Sequence, residues 1–586
     1  MKTFCKTVIY FSVLSFVLSF VSVAQIPPGY ENGLKIITAK KMESYVHFLA
    51  SDSLKGRATD MPEHLVAARY IAAMFREAGL KPLFAERRRS AAVDSAIDED
   101  SPKLTDANDS YFQKFSLKRS KFAENRVRLN LDLGKAKISN TYAPGQDFII
   151  QDKSGKSVSF TAPIVCAGYG VEKGEAGYND YIAADGKEID VRNKIVLVID
   201  GFPRELDSTS VWVKARNAAY RNPLRKAEVA QAKGALAMIV VGSVLKKEPP
   251  IDIKYQTLAT SFNRDFVYLP ERPSTDIPIL YISKNAKDDL YQNSGMTLDS
   301  LQGILESFLK GMAFEFQNKT LSVEINFISQ MLPTQNVVGW IEGTDPVLKK
   351  EFLVYGAHYD HVGLGHYGSL NKKFEGQIHN GADDNASGTA GLMEIARAMK
   401  ANPPKRSVVF IAFTAEEHGM LGSRYYVNEQ PLKPIEGTVA MLNLDMISRN
   451  EEQLLAIGGA FYGDDIRLIA ERANAEIGFS LLYNVGLYTN ASDQAPFLRK
   501  KIPAAFFFAG DHDDYHTPAD DVEKCNFTKA AKATKLAYLS GWIIANEERK
   551  PAFRDLPLDE RKKLIDLSRE RTEKVKGKKP VPSPKK

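Results

Sequence analysis

The chain has 586 residues, of which 44% are hydrophobic and 26% are charged, as in an ordinary globular protein. This length is too great for one hydrophobic core and predicts roughly two to four domains. The formal net charge is +6, but residues 571–586 hold seven Lys or Arg and one Glu, so the rest of the chain is close to neutral. The charge therefore argues against a nucleic-acid partner.

Residues 1–24 have the pattern of a secretory signal peptide, because two lysines and the apolar run Val8–Val23 precede a small-residue site that ends at Ala24. The run is short for a membrane span of about 20 residues, so we expect no stable membrane insertion after cleavage. An uncleaved anchor is the alternative. Only Cys166 and Cys525 remain after cleavage. Export without a disulfide framework predicts a periplasmic or extracellular protein.

Two amphipathic helices are predicted after the signal, since apolar residues recur at helical spacing and Gly79 suits a helix end. The apolar positions are Met42, Tyr45, Val46 and Leu49 in the first helix, and Ala68, Ile71, Ala72 and Phe75 in the second. Residues 85–110 are polar and have no periodicity, which predicts a surface loop.

A second pattern follows between residues 163 and 241, where buried strands alternate with a short helix. Lys194–Ile199 and Ala237–Val241 are β-branched and apolar, and Lys226–Lys233 reads as a helix closed by Gly234. Farther on, DIPILYISKNAKDDLYQ predicts a strand and then a helix, and LSVEINFISQML predicts a strand.

Five residues of metal-ligand type stand at the ends of apolar runs in the second half of the chain: His358, Asp383, Glu417, Asp445 and His516. Seven of the nine histidines also lie between positions 358 and 516. Strands alternating with helices predict a mostly parallel sheet, and ligands bind at the carboxyl ends of such strands. Two imidazoles and three carboxylates suit zinc or another first-row metal.

Neighbouring residues in these segments have predicted supporting functions. Asp360 lies two positions after His358 and is expected to hold the second ring nitrogen of that histidine. Each residue also has a purely structural interpretation: Asp383 as a helix N-cap, Asp360 as a turn residue, and Glu416 with Glu417 as the start of a helix. The five other histidines of this stretch are interpreted as surface or structural residues: His361, His366, His379, His418 and His512.

Six motifs occur in the order HYDHVG, NGADDNASG, AEEHGMLGS, LNLDMI, SDQAPF and YHTPAD. In these motifs and their order the chain resembles the M28 family of zinc exopeptidases. The motifs GYG, NKIVLV and KGALAMIVV resemble an inserted protease-associated (PA) domain. The resemblance implies an α/β/α sandwich, mostly parallel, that is interrupted by a smaller β-rich PA domain. The predicted divisions are a signal peptide (1–24), the N-terminal part of the peptidase domain (25–140), a PA-like insert (141–325), the catalytic domain (326–550) and a charged C-terminal segment, a helix followed by a disordered tail (551–586).

The resemblance implies an aminopeptidase that acts on peptides with two zinc ions, for which cobalt or manganese can substitute. Asp383 would bridge the ions, with Glu417 and His516 completing one site and His358 and Asp445 the other. The family's cis peptide after the bridging aspartate would fall at Asp383-Asp384. Two catalytic residues are implied beside these ligands: Glu416, as the general base for a metal-activated water, and Asp360.

Other activities remain open at the level of sequence. A related carboxypeptidase would need cations for the substrate carboxylate, such as Arg424 or Arg449, and a glutaminyl cyclase would use one zinc ion. A non-catalytic binding protein on a peptidase scaffold is the third alternative. Tyr515 is a candidate donor to the reacting carbonyl oxygen, although it also reads as a packing aromatic residue.

Overall fold

The computed structural model describes the chain between residues 25 and 576 with several gaps. The described ranges are 25–83, 110–123, 128–132, 139–152, 155–214, 221–247, 249–259, 265–270, 276–429, 435–462, 464–483 and 491–576. The predicted signal peptide, and the predicted loop at 85–110 apart from Ser110, lie outside the described residues. Among the helices in these ranges, none combines the length and the apolar composition needed to cross a membrane.

Eighteen strands lie in the described ranges and are numbered in chain order. They are β1 (Lys81–Pro82), β2 (Phe112–Phe122), β3 (Arg128–Asp132), β4 (Ser139–Tyr142), β5 (Phe148–Gln151), β6 (Val158–Cys166), β7 (Ile195–Ile199), β8 (Ala237–Val241), β9 (Phe266–Tyr268), β10 (Ile279–Ile282), β11 (Phe314–Ile325), β12 (Phe327–Ile341), β13 (Phe352–His358), β14 (Ser407–Phe413), β15 (Thr438–Leu444), β16 (Leu454–Gly458), β17 (Ser480–Leu482) and β18 (Ala504–Phe508).

The α-helices of the same ranges are also numbered in chain order. They are α1 (Glu31–Ile36), α2 (Ala39–Leu49), α3 (Pro62–Glu77), α4 (Val211–Lys214), α5 (Pro223–Ala232), α6 (Ile251–Lys254), α7 (Gln256–Ala259), α8 (Lys284–Tyr291), α9 (Leu298–Phe308), α10 (Gly388–Ala401), α11 (Leu421–Asn428), α12 (Asp464–Ile477), α13 (Gln494–Arg499), α14 (Phe527–Asn546) and α15 (Leu558–Val575).

The larger sheet has the strand order β17-β16-β18-β15-β13-β14-β12-β2-β9 in the described ranges, and β1 also pairs with β12. Its centre is parallel, because β13 pairs in parallel with both β14 and β15, and β15 pairs in parallel with β18. Strands β12 and β2 extend the sheet in antiparallel pairing. The carboxyl ends of the four parallel strands therefore lie at one edge of the sheet.

Helices cover both faces of this sheet. Successive side chains of β13, which point to opposite faces, illustrate this. Leu353 and Tyr355 belong to the core that the sheet forms with α2, α3, α10 and α14. Phe352 and Val354 face the opposite core, where α11 and α13 contribute. Successive side chains of a strand point to opposite faces, so burial on both sides explains the continuous apolar run. The prediction of an α/β fold is confirmed.

The smaller sheet, β4-β3-β11-β6-β7-β8-β10-β5, lies between β2 and β12 in the chain. Its strands β6, β7, β8 and β10 are parallel neighbours. The chain enters the insert after β2 and returns from it at β12. These two strands are neighbours in the larger sheet, since Phe122 at the end of β2 pairs with Phe327 at the start of β12. Strand β9 of the insert returns to pair with β2, so the insert also forms an edge of the larger sheet.

The C-terminal segment begins with the helix that its charged sequence predicts before a disordered tail. Helix α15 occupies most of the described part of residues 551–586. Leu564 and Ile565 pack against the main core. The hydroxyl of Ser568 also accepts a hydrogen bond from the backbone N–H of Tyr483 at 2.6 Å. The disorder predicted after this helix stays a prediction, because residues 577–586 lie outside the described ranges.

Candidate metal centre

The residues of the candidate centre follow the parallel strands directly. His358 is the last residue of β13, and Asp445 is the first residue after β15. Glu416 and Glu417 follow β14 after a two-residue turn in which Ala415 has a φ of 54°. His516 lies in the loop after β18, also at a positive φ of 53°. Parallel register at the centre of the sheet places these side chains at one edge.

Asp384 lies between two histidines that come from different loops. Its Oδ1 is 3.3 Å from Nε2 of His358, and its Oδ2 is 3.1 Å from Nε2 of His516. The turn that carries it, residues 382–387, precedes α10 and follows Gly381, whose φ of 59° is in the left-handed region. One carboxylate that directs each oxygen to a different imidazole is arranged to bridge two cations.

Two groups of possible ligands share this carboxylate. One group is completed by His358 and Asp445, whose Nε2 and Oδ1 are 3.3 Å apart. The other contains His516 and Glu417, with Nε2 and Oε2 3.0 Å apart, and also His361. Within each group the ligand atoms lie within 4.8 Å of one another.

The donor set fits zinc. Nδ1 of His358 is 3.1 Å from the carbonyl oxygen of Asp360, and Nδ1 of His516 is 2.8 Å from the carbonyl oxygen of Gly368. A carbonyl only accepts, so each Nδ1 carries the hydrogen and each Nε2 keeps a lone pair. Buried Oδ1 of Asp445 and Nε2 of His516 have no partner in hydrogen-bond geometry. Separations of 3.0 to 3.3 Å are close to the ligand spacing of about 3.3 Å around a tetrahedral zinc ion.

The electrostatics of the cluster shift the pKa values of Asp384 and Glu416 in opposite directions. Burial alone would raise the pKa of Asp384, but nearby His361, His358 and His516 hold that pKa well below its ordinary value. Burial raises the pKa of Glu416 well above its ordinary value, and the carboxylates of Asp493, Glu417 and Asp445 act in the same direction. A carboxylate with a raised pKa beside a ligand group is suited to accept a proton.

Comparison with known proteins agrees with this geometry. The model of peptidase family M28 matches residues 336–539, and the PA domain model matches residues 160–290. The chain carries an M28 peptidase domain. Aminopeptidase YwaD of Bacillus subtilis is 28% identical over 425 residues, which are 70% of this chain and 73% of that protein.

Two further comparisons extend the picture. Leucine aminopeptidase 2 of Trichophyton rubrum is 27% identical over 220 residues, which are 36% of this chain and 40% of that protein. Among solved structures, an aminopeptidase from Aneurinibacillus sp. strain AM-1 covers 91% of this chain and 99% of its own chain, at 21% identity and a TM-score of 0.47.

The structure of the M28 domain corrects the predicted position of the bridge. Asp383 is in neither ligand group. Its Oδ1 instead accepts hydrogen bonds from the backbone N–H and the hydroxyl of Ser448, at 2.8 and 2.7 Å, and from the hydroxyl of Ser387 at 3.0 Å. The cis peptide bond joins Asp384 to Asn385, one position later than predicted. Adjacent side chains of the turn point in different directions, so only one of the two aspartates reaches the histidines.

The predicted contact of Asp360 with His358 is present and is made by the backbone. The carbonyl oxygen of Asp360 is 3.1 Å from Nδ1 of His358, whereas the carboxylate Oδ1 is 3.8 Å from that nitrogen. The carboxylate accepts hydrogen bonds from the backbone N–H groups of Glu416 and Glu417, at 3.1 and 3.3 Å. Asp360 therefore orients both the histidine ring and the segment that carries Glu416.

His361 is the residue of the centre that sequence reasoning missed. It was interpreted as a surface or structural histidine, yet it is buried and its Nδ1 is 2.8 Å from Oε1 of Glu417. His379, by contrast, fits the structural interpretation, since its ring nitrogens contact the carbonyl of Gln377 and the hydroxyl of Ser369. His361 lies three residues after His358, on the loop that follows β13. This position was the sequence signal that could have indicated a residue of the centre.

A buried arginine from the N-terminal segment supports the same loops. Arg57 donates hydrogen bonds to the carbonyl oxygens of Tyr359, Asn380 and Gly381, at 2.9, 2.6 and 3.0 Å, and also to that of Leu49. These carbonyls belong to the loop after His358 and to the turn before Asp384. The segment was part of the predicted resemblance, but nothing in its local pattern indicated this contact.

An apolar cluster adjoins the candidate ligands on one side. It contains the buried residues Met446, Ala456, Phe506 and Phe508, with Leu482 and Tyr515 packed against them. Met446 follows Asp445 directly, and the ring of Tyr515 stacks on His516 at 3.9 Å. Burial raises the pKa of Tyr515, so its hydroxyl remains a neutral donor.

Proposed function

We propose that this protein is an exported, zinc-dependent aminopeptidase that hydrolyses the first peptide bond of its substrates. The observation that carries the proposal is Asp384, whose two oxygens face His358 and His516 from opposite sides. The family match and the aminopeptidase names of the relatives support the same activity. Two cations would share Asp384, one with His358 and Asp445 and the other with Glu417 and His516.

Zinc bound by these residues would lower the pKa of a water molecule and polarise the scissile carbonyl. Glu416 would take the proton of that water and deliver it to the leaving amine, a step that typically contributes about 10²–10⁴-fold to the rate. Asp360 would keep Glu416 in position through the backbone hydrogen bond described above. Tyr515 would donate a hydrogen bond from its neutral hydroxyl to the carbonyl oxygen as charge develops there.

The apolar cluster beside Asp445 and His516 suits the side chain of the N-terminal residue. Leu482 and Tyr515, which are partly exposed and pack against the buried Phe506 and Phe508 rings, offer a nonpolar surface next to the reacting centre. We therefore propose a preference for nonpolar N-terminal residues such as leucine, in agreement with the leucine aminopeptidase names among the relatives.

The alternatives receive less support. A carboxypeptidase would need a cation for the terminal carboxylate, but Arg449 already contacts Asp514 at 2.6 Å and Asp520 at 3.7 Å. A single-zinc cyclase would not need two ligand groups that share Asp384. A non-catalytic binding protein on a peptidase scaffold would have lost metal-ligand residues, whereas both groups of possible ligands are present here.

A panel of aminoacyl arylamides and peptides tests the proposal. The enzyme should hydrolyse leucine arylamide and a C-terminally amidated peptide, but not the same peptide with an acetylated N-terminus. Dialysis against a chelator should abolish turnover, and zinc or cobalt should restore it. Equal cleavage of the acetylated peptide, or full turnover in a sample verified to be free of metal, would contradict the proposal. N-terminal sequencing of secreted protein tests export, with Gln25 expected as the first residue.

A further inference from the structure

A cavity of about 650 Å³ opens from the metal centre toward the PA insert. Glu417 and His361 lie at its inner end. Its outer wall includes residues from three other places in the chain: Asp60 just before α3, Arg119 on β2, and Asp265 beside β9. Because β9 belongs to the insert, this cavity lies where the two domains meet.

The outer wall carries an excess of negative charge. Arg119 bonds both acids, with Nη1 3.0 Å from Oδ2 of Asp60 and Nε in contact with Oδ2 of Asp265. One guanidinium between two carboxylates leaves one negative charge uncompensated. The remaining charged residues of the outer wall, Lys372 and Glu375, cancel each other. These three side chains are about one third exposed, so a ligand can reach them.

The inner end of the cavity is also polar. His361 is only 2% exposed, and its Nδ1 faces Oε1 of Glu417. Nε2 of His361 has no hydrogen-bond partner among the described residues. Together with the acids of the outer wall, the carboxylate of Glu417 makes the cavity suit a donor-rich or cationic ligand.

The size of the cavity indicates which part of a peptide it takes. An aminopeptidase holds one residue before the scissile bond, and the apolar cluster beside Asp445 already suits that side chain. The rest of the peptide lies on the other side of the bond. A space of about 650 Å³ is far larger than one side chain and can hold several residues of the leaving portion.

Resting on the aminopeptidase function proposed above, we infer that this cavity binds the part of the substrate after the scissile bond. Asp60 and Asp265 favour a basic side chain in the second residue of the peptide, and Arg119 limits that preference. The domain junction therefore determines specificity for the leaving portion, while the apolar cluster determines it for the first residue.

Kinetics with amidated dipeptides test the inference, because amidation removes the terminal carboxylate. The value of kcat/KM for Leu-Lys-amide should exceed that for Leu-Glu-amide by about tenfold, because attraction of the lysine and repulsion of the glutamate each contribute about threefold. Asp265→Asn should lower this ratio to about threefold or less. Arg119→Met should raise it severalfold, since it leaves both acids unpaired, and Asp60→Asn provides a second variant of the first kind.

The ratio within each variant is the readout, so a general loss of activity does not affect it. Asp190→Asn is the matched control, because it removes an Asp–Arg pair of the insert that lies outside the cavity, and it should leave the ratio unchanged. Equal rates for the two dipeptides would overturn the inference, and so would a ratio that Asp265→Asn and Arg119→Met leave unchanged. In either case, hydrolysis of leucine arylamide would still support the proposed function. Failure to cleave leucine arylamide and both dipeptides would overturn both.

Discussion

Replacement of Arg57 by methionine should release the loops of the metal centre. The guanidinium is completely buried and bonds four carbonyl oxygens from three segments: Leu49, Tyr359, Asn380 and Gly381. Methionine has a similar length and an apolar side chain, but it donates no hydrogen bond. The variant therefore fills the space and leaves the four carbonyls without this partner.

The size of the effect follows from these contacts. A buried polar group left without a partner costs about 1–3 kcal/mol. The carbonyl of Gly381 keeps the hydrogen bond from the N–H of Ala386. The other three carbonyls give a loss of roughly 3 kcal/mol at the low end, against a total stability of about 5–15 kcal/mol for a typical domain. We expect a lower thermal midpoint of the M28 domain and zinc binding weakened by at least about tenfold. Arg57→Lys, which keeps the charge but can reach fewer carbonyls, should be intermediate.

Arg406 is the control for general destabilisation. It is also completely buried, and it bonds the carbonyls of Ile544 and Glu548, at 2.7 and 2.8 Å, and the carboxylate of Glu351 at 2.7 Å. Arg406→Met should lower the midpoint without weakening zinc binding to the folded protein. Zinc affinity is measured by competition with a chelator below the midpoint. Wild-type affinity in Arg57→Met, or an equal loss in both variants, would refute this reasoning.

Four further outcomes are expected. Glu416→Gln should keep the fold and the bound metal but lower kcat by about 10²–10⁴-fold, as steady-state kinetics on metal-analysed samples can show. Asp384→Asn should lose metal at both positions, whereas Asp383→Asn should keep the wild-type stoichiometry; the reverse result would restore Asp383 as the bridge. Chelation should lower the thermal midpoint of the wild type, and an unchanged midpoint would contradict a structural contribution of the metal. Burial lowers the pKa of His64 from 6.5 to about 3, so its contribution is present above pH 6.5 and is lost as pH falls toward 3. This loss amounts to roughly 5 kcal/mol; the advantage of the wild type over His64→Gln in thermal midpoint should therefore shrink across that window, and a constant advantage would argue against the shift.

The strand ends of the centre were predictable because they depend on local pattern and on one rule of topology. The apolar runs of β13, β14 and β15 are continuous, as expected of strands buried on both faces. Their parallel register then brings His358, Glu417 and Asp445 to one edge without further information. Sequence reasoning reached these three residues for this physical reason.

The choice between Asp383 and Asp384 could not be made in the same way. The two side chains have the same chemistry and are adjacent, and the turn between Gly381 and α10 has no regular periodicity from which to read direction. The deciding contacts are non-local: Ser448 binds Asp383, and His516 lies beside Asp384. Neither contact can be predicted from the residues around position 383.

Arg57 and His361 were missed for related reasons. Arg57 acts on carbonyls more than 300 positions away, at Tyr359, Asn380 and Gly381. Backbone acceptors are present at every residue, so sequence gives no indication of which of them a buried guanidinium will meet. His361 carries a recognisable side chain, but its contact with Glu417 depends on the path of the loop after β13. Long-range polar contacts of this kind require coordinates.

The charge of the centre links metal binding to the fold. Six buried aspartates lie in and around it: Asp360, Asp383, Asp384, Asp445, Asp493 and Asp520. Backbone and hydroxyl donors satisfy Asp360, Asp520 and Oδ1 of Asp383. In contrast, Oδ2 of Asp383, Oδ1 of Asp445 and both oxygens of Asp493 have no hydrogen-bond partner among the described residues. Unpaired buried carboxylates are costly, and Arg57 supplies a single positive charge. Divalent cations held by Asp384 would offset this excess, so the same acids that would bind zinc also make the local fold depend on it.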